Sequence, residues 1–110
     1  MSRHRDEIVL LDITNAAKLI ASFIEGFKED AFINDLKTRS AVLYHLTVIG
    51  EATKRLSPEF RKVNKQVPWA LMAGMRDHLI HAYDLVDWRE VWITASRDVP
   101  ELLNLIENIA

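Results

Sequence analysis

Between residues 75 and 84 the chain reads MRDHLIHAYD. Arg76, Asp77, His78, His81 and Tyr83 can each hold, move or stabilise charge, yet they stand in an apolar segment running from Trp69 to Val86. Histidine is the usual proton donor or acceptor near neutral pH. Arginine offers a permanently charged fork that matches phosphate oxygens. Asp77 could orient the His81 ring, and a tyrosine nearby could position a substrate. The set fits phosphodiester chemistry. The same residues also fit a structural role, as an Arg–Asp–His hydrogen-bond network closing one end of a bundle. His78 and His81 have the spacing of a metal pair, but beyond Asp77 or Asp84 no third ligand is evident.

Helical geometry sharpens the problem. Arg76 and Tyr83 are seven apart and fall within about 20° of each other on a helix, with Trp69 on the same face. Asp77 and His81, four apart, are also neighbours. Arg76 and His81 are separated by about 140°. In one straight helix they cannot converge on a small ligand. They converge if the helix ends or kinks between them, or if a second chain supplies one of them.

The elements that must position these residues read as helices. Only three Gly and three Pro occur among 110 residues, and no strict apolar–polar alternation persists. A first helix is predicted from about Asp6 to Phe27, with Leu10, Ile13, Ala17, Ile20, Ile24 and Phe27 on one stripe. Asn34 reads as the N-cap of a second, running to about Leu56. Ser57-Pro58 opens a short turn to about Val63. Pro68 opens the helix that carries the polar cluster. Gly74 inside it costs about 1 kcal/mol relative to alanine, which suggests close helix approach. Asp87 and Asp98 read as caps of two last helices, each followed three residues on by an acid. The expected architecture is an all-α, up-and-down bundle of four to five helices in one domain, 1–110. Its wide apolar faces, with Trp69, Trp88 and Trp92 near, predict a homodimer.

Composition narrows the function classes. There is no cysteine, which removes disulfides, thiolate metal sites and cysteine nucleophiles and fits a reducing cytoplasm. No apolar run approaches membrane-spanning length, so no membrane role is expected. The formal net charge is −2, but residues 53–83 carry net +4 and residues 84–110 net −4. The basic stretch holds Lys54, Arg55, Arg61, Lys62 and Lys65, which could focus a polyanion onto one region or simply form a solvated helix end and loop. His78 and His45 read as surface or interface histidines, and His4 as a tail residue.

The order Arg76, four residues, His81, one residue, Tyr83 resembles the R-x4-H-x-Y motif of the HepT-like ribonucleases, the toxin halves of HepT/MntA toxin–antitoxin pairs in the HEPN superfamily. VIGEATKRLSPEFR (48–61), VPWALMAGMRDHLIHAYDLVDWREVW (67–92) and DVPELLNLI (98–106) are similar to that family's signatures over nearly the whole chain. The resemblance implies a HEPN-like homodimer with the motif at the dimer cleft. It implies a metal-independent endoribonuclease toxin of a type VII system, without a cofactor, in which 2′-OH attack cuts RNA. Arg76, His81 and Asp77 are the implied catalytic residues. Tyr83 is the implied AMPylation site of a partner MntA-like nucleotidyltransferase antitoxin. HEPN-like bundles also accompany nucleotidyltransferases as non-catalytic nucleotide- or partner-binding subunits, which is the alternative.

Overall fold

A computed structural model describes residues 2–82 and 85–109. The chain is helical almost throughout, as expected. Helix α1 (Ser2–Phe23) lies along α3 (Leu36–Thr53), and the short α2 (Glu29–Ile33) joins them in sequence. Then follow α4 (Pro58–Val63), α5 (Trp69–Ala73), α6 (Met75–Leu79), strands β1 (Ile80–Ala82) and β2 (Leu85–Val86), α7 (Trp88–Ile93), a π-helical turn (Thr94–Asp98) and α8 (Val99–Glu107). No helix among the described residues is long and apolar enough to cross a membrane.

The apolar stripes fold inward. Ile13, Ala17 and Ile20 of α1 meet Val42, Leu46 and Ile49 of α3 in the core, joined by Phe32, Leu79, Val91 and Val99. Helix α1 stops at Phe23, earlier than expected, and Gly26 turns the chain with φ 83°, a conformation that disfavours any side chain. The cap of α3 is Asp35 and not Asn34: the Asp35 carboxylate accepts from the Thr38 N–H at 2.9 Å. Asn34 instead closes α2, an element the sequence pattern did not reveal. Ser57 caps α4 as expected, accepting from the Phe60 N–H at 3.1 Å. The buried Asp6 takes hydrogen bonds from both the Ser57 N–H and its hydroxyl, tying α1 to α4 across the fold.

Two expectations near the polar cluster are corrected. Asp98 makes no side-chain cap, because helical backbone runs on from α7 through the π turn into α8. Close helix approach falls at Gly50 and not at Gly74. A Cβ on Gly50 would lie 3.2 Å from the Met72 carbonyl oxygen of α5. A Cβ on Gly74 would meet only ordinary contacts, 3.6 Å and beyond, because Gly74 sits at the joint between α5 and α6.

The two glycines should therefore respond in opposite directions. Gly50→Val should cost about 1–3 kcal/mol by forcing α5 off α3. Gly74→Ala should gain about 0.4–1 kcal/mol by restricting the unfolded chain. Urea denaturation of both variants measures the difference, and equal effects would contradict the packing described.

Candidate active site

Helix α6 is amphipathic over five residues. Met75 and Leu79 are buried, one turn apart, while Arg76, Asp77 and His78 face outward. The helix ends at Leu79, between Arg76 and His81. The Ile80 N–H still bonds back to the Arg76 carbonyl, but Ile80 itself is extended, with φ −120° and ψ 108°. Here the structure departs from the expected continuous helix. Ile80–Ala82 pairs antiparallel with Leu85–Val86, with Ile80 opposite Val86. The Leu79 carbonyl accepts from the Asp87 N–H at 2.9 Å. The 140° separation of Arg76 and His81 in a straight helix therefore does not apply.

Both side chains are open to solvent, Arg76 at 53% and His81 at 60% exposure. The four-residue helical relation expected between Asp77 and His81 is lost, because α6 ends at Leu79. The Asp77 carboxylate lies 3.8 Å from the Arg76 guanidinium, and it is the most exposed of the group. An exposed pair of this kind contributes little to stability. Among the described residues, the carboxylate that faces His81 is Asp87, its Oδ2 3.9 Å from Nε2. His78 in turn faces Glu90, Nε2 to Oε2 3.6 Å. Asp87 is also the N-cap of α7 and accepts from the Glu90 N–H at 3.1 Å through Oδ1. The local motif DWRE announced that cap, but nothing local announced the histidine partners. Among the described residues no three His, Asp or Glu side chains group as a metal site. Tyr83, the expected modification site, and Asp84 lie outside the described residues.

Helix α7 is held in place by its other side. Val91 is fully buried. Trp92 packs on Phe32 of α2 with ring centroids 5.2 Å apart. The Arg39 guanidinium of α3 lies 4.4 Å over the Trp88 ring, while its Nη1 donates to the Ile33 carbonyl at 2.7 Å. Trp69, at the start of α5, is buried and donates from its indole to the Asn64 carbonyl at 2.9 Å.

The basic residues are spread out. Lys54 ends α3 and pairs with Glu51 at 3.1 Å. Arg55 lines a groove of about 460 Å³ between α1 and α3, which also contains His45 but neither Arg76 nor His81. Arg61 and Lys62 lie on α4, and Lys65 in the loop before α5. The His45 Nδ1–H donates to the Ala41 carbonyl at 2.8 Å, and its ring edges against Phe23 and Tyr44.

The profile of the family described as "Ribonuclease HepT-like" matches residues 13–109. A protein of Thermococcus cleftensis named as a probable ribonuclease HepT is 41% identical over 106 residues, covering 96% of this chain and 94% of that one. A candidate RNase of Caldanaerobacter subterraneus subsp. tengcongensis is 36% identical over 88% of this chain and 87% of its own. One from Methanocaldococcus jannaschii is 38% identical over 91% and 83%. No solved structure gives a significant match. The chain belongs to the HepT-like ribonuclease family, as the ordered motif around Arg76 and His81 implied.

Because Arg76 and His81 stand largely in solvent and no core contact depends on them, alanine at either should leave stability within about 0.5 kcal/mol of wild type. Thermal and urea melts test this. A loss several times larger would assign the pair to the structural network instead.

Proposed function

We propose that this protein is a metal-independent endoribonuclease in which Arg76 and His81 work at one cleft. The observation that carries the reading is the end of α6 at Leu79: the arginine stays on the last helical turn and the histidine starts the strand, both exposed. The family supplies the reaction class. Arg76 binds the scissile phosphate and stabilises charge growing on its oxygens. His81 takes the proton of the ribose 2′-OH as its oxygen attacks phosphorus. The bond to the 5′-oxygen breaks, and His81 of the partner subunit protonates that leaving oxygen. The products are a 2′,3′-cyclic phosphate and a 5′-hydroxyl, and DNA is spared. None of these steps calls on a cofactor.

In this reading the chain is a single HepT-like domain, acts as a homodimer, and is the cytoplasmic toxin of a type VII pair. Exposed apolar side chains, among them Leu11, Leu36, Leu71 and Leu85, support association with a second chain. Lys54, Arg55, Arg61, Lys62 and Lys65 guide RNA. A partner MntA-like nucleotidyltransferase silences the toxin by attaching AMP to Tyr83. Each added phosphate brings negative charge that competes with RNA for Arg76.

Purified protein incubated with a defined RNA in EDTA should cut it, and a single 2′-deoxy substitution at the cut position should stop the reaction. Arg76→Ala and His81→Ala should each lower the rate by about 100-fold or more. Unchanged cutting by both would place the site elsewhere. No cutting, with tight binding to a nucleotidyltransferase, would favour a non-catalytic subunit.

Charge reversal at Lys62 and Lys65 should weaken RNA binding and flatten its salt dependence by about 0.7 in log–log slope per lost phosphate contact. Co-expression with the cognate nucleotidyltransferase should add AMP mass, and Tyr83→Phe should abolish the adduct. An adduct retained in Tyr83→Phe would move the modification to another residue.

A further inference from the structure

We propose that Asp87 is the positioning carboxylate of His81, so that the capping turn of α7 also serves the reaction. The proposal rests on the reading of His81 as the proton-transfer group. Its basis is the division of labour between the two Asp87 oxygens. Oδ1 accepts from the Glu90 N–H at 3.1 Å, which fixes the side-chain rotamer. That bond leaves Oδ2 directed at the His81 ring, 3.9 Å from Nε2. The Asp87 main chain is tied as well, its N–H bonded at 2.9 Å to the Leu79 carbonyl, two residues before His81. The carboxylate is thus held from the main chain and from its own cap, and it approaches the histidine from a different element.

Among the described residues, the nearby carboxylates of Asp77 and Glu90 are otherwise engaged. Asp77 sits beside Arg76 and is almost fully exposed. Glu90 faces His78. The gap of 3.9 Å exceeds a hydrogen bond, but an exposed imidazole closes it by a small ring rotation, and such bonds tighten when substrate binds. A carboxylate facing Nε2 accepts the proton that nitrogen carries. Nδ1 then bears the free lone pair and is the nitrogen that takes the 2′-OH proton. Asp87 touches no reacting atom; it selects the tautomer and holds the ring.

Asparagine separates this role from capping. Asp and Asn are equivalent N-caps, so Asp87→Asn keeps an oxygen for the Glu90 N–H while turning an NH2 donor, in place of the carboxylate acceptor, toward His81. Steady-state kinetics on a defined RNA oligonucleotide should show kcat lowered about 10- to 100-fold, with KM and the melting temperature unchanged. Asp87→Ala should lose both the rate and part of the stability, and Asp87→Glu should recover part of the rate. Nitrogen-15 NMR of the His81 ring should find the proton on Nε2 in the wild type and shifted toward Nδ1 in Asp87→Asn. Wild-type kcat in Asp87→Asn, or an unchanged tautomer balance, would overturn the proposal. A wild-type protein that cuts no RNA would overturn the ribonuclease reading instead, and the NMR comparison would still decide whether Asp87 orients the ring.

Discussion

The hydrogen bond from the Asp87 N–H to the Leu79 carbonyl organises everything around the motif. In a continuing α-helix that carbonyl would accept from the amide four residues on. Here it accepts from an amide eight residues on, which ends the helix and brings the start of α7 beside the end of α6. One main-chain bond thereby sets where Arg76 stops being helical company for His81. It also sets which acids His81 and His78 meet, and where the next helix begins.

That bond is maintained by packing and not by the charges it assembles. Leu79 on one side and Val91 on the other are fully buried, and each such side chain contributes about 1.5–3 kcal/mol on leaving water. The polar contacts at Arg76, His78 and His81 are all 3.6 Å or longer and substantially exposed, and even a charged pair of this kind is worth about 0–1 kcal/mol. The apolar anchors therefore decide the geometry, and the polar groups inherit it. This leaves the charged residues free to serve chemistry without holding the fold together.

The same division explains what the sequence disclosed. Ser57 and Asp87 were legible as caps because a cap is a contact across three residues, written in the local order. The family was legible because the spacing of Arg76 and His81 belongs to an ordered motif. The end of α6 was not, since apolar residues at 69, 72, 75 and 79 suit a helix and nothing nearby breaks it. The chain stops there for a non-local reason, the amide of Asp87. With the helix extended too far, the sequence set Asp77 beside His81, whereas the carboxylate 3.9 Å from its ring is Asp87. The Asn34 and Asp35 exchange is smaller: both are good caps, and only the bond to Thr38 distinguishes them.

The π-helical turn at Thr94–Asp98 acts as a phase corrector. Val91, Ala95 and Val99 are all fully buried, yet eight residues of regular α-helix would turn Val99 about 80° away from Val91. The extra residue in a π turn takes back about 100°, so both ends of the helix keep facing the core. The number of residues between Asp87 and the anchoring stripe of Val99, Leu102 and Ile106 is therefore a geared quantity. Losing one would leave a smoother helix whose two halves no longer agreed on which way was inward, and the capping turn would be aimed off the histidine it now faces.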